Sequence, residues 1–277
     1  MTDSDYIARL QRHLVNYKPS VLRVQESGFW GIPPKAYPHI LQVELRELNI
    51  VAPLRDTFWR EQCRVGWKLH QYFHHLSSSQ ALAFNLLFSI YPEVPTRMRA
   101  TRRVLGLPED LPCQLEFERI LDTRERTNID ALISAADGTR TIIEVKLTER
   151  AFGSARADVR HLAKLNDVYR PLLAGRIADG CLEPISFFRD YQLYRNLAQI
   201  RLGTSDRVLL LLPKARPRLW RHAVTWCQSP LLGPMGRRVQ AVAIEEVVSA
   251  LVEDSRGLKH AGDVAAEVSQ KYILPAG

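Results

Sequence analysis

Asp130, Glu144 and Lys146 place two carboxylates and an ammonium in a stretch otherwise written like a β-hairpin, TNIDALISAADGTRTIIEVKLTE from Thr127 to Glu149. Strand side chains alternate between faces, so Glu144 and Lys146 share one face while Ile143 and Val145 take the other. Charges at the end of an apolar strand are costly to bury without a partner. The turn sets the register. A two-residue Asp137-Gly138 loop would put Asp130 opposite Val145. A three-residue loop, Ala136-Asp137-Gly138, with the glycine left-handed, pairs Ala135 with Thr139 and therefore Asp130 with Glu144. Opposed side chains lie about 4.5–5.5 Å apart at Cβ, and carboxylates that close need something positive between them. Mg²⁺ fits, because it takes oxygen ligands, uses one or two carboxylates and keeps several waters. Lys146, further along the same face, could orient a metal-bound water or neutralise charge developing on a phosphate. The plain alternative is a surface hairpin with a salt-bridged cluster, since an E-x-K triplet occurs about once by chance in a chain this long.

The elements around the hairpin must hold it. The spacing of Ile7, Leu10 and Leu14 predicts a helix over residues 4–17, and Phe58, Val65, Leu69, Tyr72 and Phe73 predict another over 55–76; the prolines between them mark irregular chain. Ser77 and Gln80 stand at capping-box spacing. They would open a helix that stops before Pro92 and is apolar all round, hence central. Alternation predicts a strand over Gln114–Leu121, with Glu116 and Glu118 on one face. Helices are expected over 155–174 and Phe187–Arg201, a fully buried strand over Arg207–Leu212, a helix over Arg218–Gln228, a strand over Val239–Ile244 and a helix over Glu245–Val252. This order gives an α/β fold with a mixed central sheet flanked by helices. The chain is expected to form a single domain, 1–277, with an N-terminal elaboration (1–76), a core (77–215) and a C-terminal helix/strand extension (216–277).

Asp130, thirteen intervening residues and then Glu144-Val145-Lys146 resemble the PD-(D/E)xK nuclease superfamily, the restriction-endonuclease-like fold. The order of elements is similar to that superfamily's αβββαβ core. The segments FHHLSSSQALAFNLLF and YQLYRNL resemble an uncharacterised bacterial group of such nucleases, and the resemblance spans about residues 28–215. It implies Mg²⁺-dependent phosphodiester hydrolysis, with Mn²⁺ able to substitute. Asp130 and Glu144 would be metal ligands, helped by the main-chain carbonyl of Val145, and Lys146 the catalytic lysine. Ile129 stands where the motif's proline would. The first core helix offers only Gln80 and Asn85 where many members carry an acidic residue, so a third carboxylate is expected from Glu116 or Glu118. Gln192, on the helix after the E-x-K strand, is expected beside the metal or scissile phosphate. Arg195 and Glu149 are accessory candidates, as is Gln80.

Other features carry weaker expectations. Cys63, His70 and His74 invite a zinc reading, but no second Cys/His pair completes four ligands. Asn85 in an apolar helix calls for a buried hydrogen bond. The arginines at 97–103 and 216–221 are either phosphate contacts or a solvated face, and Trp220 and Trp226 read as core. The chain is 46% hydrophobic and 25% charged with a net charge of +8, which suits a polyanionic partner. Four widely spaced cysteines suggest reduced thiols and a cytoplasmic setting, and no apolar run is long enough to span a membrane. The expected activity is a nuclease acting on DNA; the alternative is a catalytically inactive nucleic-acid-binding module of the same fold. A double-strand cutter needs two active sites, so a homodimer is expected.

Overall fold

A computed structural model describes residues 1–121 and 128–275, apart from the side chain of Pro234. Thr127, the first residue of the hairpin stretch, lies outside the described residues. The elements run α1 (Asp3–Tyr17), β1 (Gly28–Trp30), β2 (Lys35–Tyr37), α2 (Ala52–Val65), α3 (Ser79–Leu87), β3 (Glu93–Val94), α4 (Arg99–Val104), β4 (Cys113–Ile120), β5 (Asn128–Ala135) and β6 (Arg140–Val145). They continue with α5 (Val159–Lys164), α6 (Arg170–Leu173), α7 (Pro184–Arg189), α8 (Tyr191–Ala198), β7 (Arg207–Leu212), α9 (Pro217–Gln228), β8 (Val239–Ala243), α10 (Ile244–Asp254) and α11 (Lys259–Tyr272).

Six strands form one mixed sheet in the order β3-β4-β5-β6-β7-β8. Its first four strands are antiparallel, and β6, β7 and β8 run parallel. Side-chain alternation splits the core into two layers. Leu115, Phe117, Ala131, Ile133, Ile143, Leu209 and Leu211 face α1, α2, α3, α10 and α11. Leu132, Ile142, Val208, Leu210 and Leu212 face α5 to α9. The sheet is therefore covered on both faces, and β7, RVLLLL, is buried along nearly its whole length, as parallel central strands are. The α3-β4-β5-β6-α8-β7 sequence is the expected αβββαβ core within a mixed sheet flanked by helices. Among the described residues, no helix is long and apolar enough to cross a membrane.

Helix α3 is buried from Ala81 to Leu87. Its Asn85 is satisfied as the apolar surroundings require: its carbonyl accepts from Val51 N at 2.9 Å, and its amide donates to Asn49 O at 2.8 Å and Tyr272 Oη at 2.9 Å. Several elements depart from the periodicity. Helix α2 ends at Val65, capped by Gly66, and Trp67 then enters the core. Ser78, not Ser77, caps α3, its hydroxyl accepting from Ala81 N at 3.3 Å, and no capping box forms because the N3 position is then Ala81; Gln80 instead reaches Glu118. The helix expected over 155–174 begins only at Val159, whose side chain is exposed, and a π turn over Leu165–Tyr169 shifts the buried stripe. The helix expected over Phe187–Arg201 is broken at Asp190, a buried carboxylate 2.9 Å from His222 Nε2. The arginine clusters contribute buried pins: Arg102 donates to the carbonyls of Val94, Pro108 and Leu111, and Arg216 donates to Leu147 O at 2.9 Å and pairs with Asp3 at 3.3 Å.

Lys271, fully buried at the end of α11, ties the N-terminal layer to the core. It donates to Asn49 O at 2.5 Å and Asn49 Oδ1 at 2.6 Å, with the rings of Tyr17 and Tyr272 beside it. Burial lowers its pKa from 10.5 to about 7, Glu267 only partly offsetting this. The folded form then holds fewer protons than the unfolded chain between pH 7 and 10.5. Stability therefore rises with pH across that window, by up to about 1.4 kcal/mol per unit from this group. In urea titrations at pH 7, 8 and 9, Lys271→Met is expected to flatten this rise; an unchanged slope would contradict the assignment.

Candidate active site

The hairpin has the three-residue turn. Ala135 N donates to Thr139 O at 2.8 Å, Gly138 N donates to Ala135 O at 2.9 Å, and Gly138 has φ +82°, a region that only glycine enters cheaply. Ala131 pairs with Ile143 and Leu132 with Ile142; the pairing ends there, and the same register continued by one residue would bring Asp130 level with Glu144. On the other side, Phe117 pairs with Ala131 and Arg119 with Ile129, which sets Glu118 opposite Asp130. Glu118, Asp130 and Glu144 thus stand on three adjacent strands at the edge of the pairing, which skips Glu118 and Asp130 and stops before Glu144. Glu118 has φ +51°, a strained conformation for a residue with a Cβ, and this re-aims its side chain. Gln80 of α3 donates to Glu118 Oε1 at 2.7 Å, and Asn128 donates to Oε2 at 3.1 Å.

Glu144 is almost fully buried yet well satisfied. Lys146 Nζ lies 2.7 Å from its Oε1. Gln192 donates to the same oxygen at 2.7 Å, and Asn196 donates to Oε2 at 2.9 Å. Gln192 and Asn196 stand four apart on α8, so one helix face delivers both amides. Gln192 also accepts from Lys146 at 3.0 Å, fixing the ammonium. Lys146 lies one residue past β6, but its N–H still donates to Leu211 O at 2.8 Å, extending the parallel ladder. Asp130 Oδ2 accepts from Val145 N at 2.7 Å. Glu149 folds back to accept from Leu147 N at 2.8 Å and Thr148 N at 3.0 Å.

The electrostatics follow from this crowding. Burial, then the charge of Glu144, hold Asp130 well above the usual carboxylate range, against the opposing pull of Lys146. Burial and the charge of Glu144 likewise raise Glu118, despite its amide donors. For Lys146 burial would favour the neutral amine, but Glu144, Glu149 and Asp130 outweigh it and keep the ammonium protonated. The site thus carries more carboxylate than its one buried ammonium neutralises, a condition that attracts a cation.

Asp130, Glu118 and Glu149 line a cleft of about 540 Å³, together with Gln80, Asn128, Thr148, Ser77 to Ser79, His70, Tyr72 and His75. Glu116 is exposed, pairs with Arg119 at 3.7 Å and does not line the cleft; it lies opposite Leu132 of β5. Arg195 lies over the ring of Tyr191, 5.2 Å from its centroid. Cys63 is exposed on α2, His70 lies beyond the helix end, and among the described residues no three His, Cys, Asp or Glu side chains converge to hold a metal. Zinc therefore has no preformed site there. An oxygen-only set that keeps solvent in the remaining positions would suit Mg²⁺ or Mn²⁺: Asp130 on the cleft wall and Glu144 buried behind it, both its oxygens accepting from protein donors, with the Val145 carbonyl next after Glu144 in sequence. Asn196 had no sequence signal beyond its polar type on the α8 segment.

A family model described as Restriction Endonuclease associating with ARP matches residues 11–273. No curated protein and no solved structure matches the chain.

Proposed function

The chain belongs to the restriction endonuclease family described as associating with ARP, and from that premise we propose that it is a metal-dependent nuclease hydrolysing phosphodiester bonds in DNA. The observation that supports this reading best is the placement of Asp130 and Glu144 on adjoining strands, Asp130 accepting from Val145 N and the Lys146 ammonium locked against Glu144. Asp130, Glu144 and the Val145 carbonyl would hold Mg²⁺, or Mn²⁺ in its place. Such an ion, when bound, activates water for in-line attack on phosphorus and stabilises the leaving oxygen. The chain's own residues do the rest. Gln192 and Asn196 hold the Glu144 carboxylate in one orientation, and Gln192 also aims Lys146. Lys146, kept as an ammonium by the surrounding carboxylates, donates to the charge that grows on the phosphoryl oxygens, not to a proton-abstraction step. Glu118 and Glu149 complete the acidic wall of the cleft.

Asn196→Ala removes a donor from Glu144 Oε2 without touching the cleft wall. It is expected to weaken Mn²⁺ affinity about 10–100-fold, read by calorimetric titration. Unchanged affinity would show that the amide does not orient the ligand.

The reaction class is tested by incubating the purified protein with duplex DNA, single-stranded DNA and RNA in Mg²⁺, Mn²⁺ or EDTA. Metal-dependent cleavage of DNA is expected. Nucleic-acid binding without cleavage of any substrate would favour the inactive binding module instead.

A further inference from the structure

The cleft is lined by the rings of His70, Tyr72 and His75 as well as by carboxylates, and these rings continue onto an exposed hairpin that the chemistry above does not use. Strands β1 and β2 pair Gly28 with Tyr37 and Trp30 with Lys35. Trp30 is 46% exposed, Phe29 58%, and Ile32 at the tip is fully exposed. The Trp30 ring stands edge-on to Tyr72 and His75 at centroid distances of 6.2 and 6.1 Å, and those two side chains line the same cleft as Asp130 and Glu149. The aromatic surface is thus continuous with the candidate active site.

The hairpin is a built element fixed to the body. Gly28 N donates to Ile40 O at 2.9 Å, and a Cβ on Gly28 would meet the Leu41 carbonyl oxygen at 2.2 Å. Its base is anchored further by Lys18, buried beneath it, which donates to Glu26 O at 2.7 Å and Ile40 O at 3.2 Å. Leaving Phe29, Trp30 and Ile32 in water forfeits the burial such side chains normally gain. Within the hairpin itself the charge is basic: residues 27–43 contain no Asp or Glu but include Lys35 and His39, with Glu26 and Glu44 only at the flanks. An apolar, ring-bearing hairpin without acidic residues of its own, continuous with the cleft proposed to take a phosphodiester, suits nucleobases attached to a polyanionic backbone.

We propose that the β1–β2 hairpin with Tyr72 and His75 forms a stacking platform for unpaired bases flanking the scissile phosphate, so that the enzyme engages single-stranded or locally opened DNA. Every base presents a π-face, so stacking of this kind is tolerant of sequence, and an apolar tip such as Ile32 is the type of side chain that wedges between base steps. The platform rests on the nuclease reading for its substrate class, but binding can be measured without cleavage.

The test uses the full chain in EDTA and a fluorescent single-stranded oligonucleotide of mixed sequence, with its duplex form beside it. Trp30→Ala is expected to weaken single-strand binding about tenfold, Trp30→Phe to retain most of it, and Ile32→Ala to weaken binding to duplex that contains a mismatch. Binding to fully paired duplex is expected to change less than twofold. Near-UV circular dichroism checks that the variants keep the fold, and Phe29→Ala provides a second, independently exposed position if Trp30→Ala does not. Equal affinity of wild type, Trp30→Ala and Phe29→Ala for the single strand would overturn the platform, as would equal loss for single strand and paired duplex. Absence of cleavage with the expected binding pattern would leave the platform standing and remove the nuclease reading; cleavage with unaltered binding would do the reverse.

Discussion

Replacing Glu144 with Gln is expected to reduce metal-dependent cleavage about 10³-fold or more while the protein remains folded. Glu144 is the point where the site's contacts converge: one ammonium and two amides meet its two oxygens inside the protein. Gln keeps the shape but removes the charge that would hold the cation, and it turns an amide N–H₂ toward donors that need an acceptor. The mismatch should cost about 1–3 kcal/mol of stability, visible as a lowered melting temperature. The catalytic loss is of the size found when a group acting in the transition state is removed. Lys146→Ala is expected to behave similarly, because it removes the ammonium held against Glu144. Single-turnover rates with excess enzyme separate this from weakened binding. Cleavage within tenfold of wild type in both variants would move the chemistry away from this cluster.

Asp206→Ala is expected to destabilise the protein by about 2–3 kcal/mol, the loss of charge-assisted hydrogen bonds to a buried carboxylate whose arginine partners are themselves partly exposed. Asp206 is completely buried just before β7. Its oxygens accept from Arg140 N at 2.9 Å, Arg140 Nε at 3.1 Å and Arg140 Nη2 at 3.0 Å. They also accept from Arg201 N at 3.2 Å, Arg201 Nε at 2.9 Å and Arg201 Nη2 at 2.8 Å. Arg201 also donates to the Gly138 carbonyl at 2.5 Å. The network therefore clamps the turn of the β5–β6 hairpin to the start of β7 and the segment after α8. Burial alone would raise the carboxyl's pKa, but the donors from Arg201 and Arg140 outweigh it and hold it far below the ordinary range. A folded pKa below the unfolded one gives stability that is fully present above the unfolded value of about 3.9 and is lost as pH falls toward the folded one. Urea midpoints at pH 7 and pH 3 test both parts. The variant should be less stable at pH 7, and the gap to wild type should narrow as the pH falls below 4. A gap that widens in acid would show that Asp206 does not gain stability from its charge.

The hairpin was legible because its turn and its strands obey local rules. An odd-numbered loop ending in a left-handed glycine fixes the pairing, and pairing fixes which side chains meet across the strands. The core helix was legible because a segment with no polar face has nowhere to go but inside. Glu118 was harder: alternation puts it and Glu116 on one strand face, and only the left-handed backbone at Glu118, with Gln80 reaching across from α3, separates the one in the cleft from the one in solvent. That is tertiary information. The break at Asp190 was hidden for the same reason, since its partner His222 lies on α9. Arg102 and Arg216 read as surface charge because arginine normally is; their burial depends on carbonyls that only the folded chain assembles. The β1–β2 hairpin, set among prolines, carries no alternating pattern long enough to announce strands.

Relaxation of supercoiled plasmid DNA in Mg²⁺, then in excess EDTA, then with Mg²⁺ restored, beside Asp130→Asn throughout, tests the central claim most directly. The placement of Asp130 and Glu144 on adjoining strands predicts nicked or linear product only while the ion is present, recovery when it is returned, and at least a hundredfold less product from Asp130→Asn. Product formed at the same rate in EDTA, or by Asp130→Asn at the wild-type rate, would contradict it.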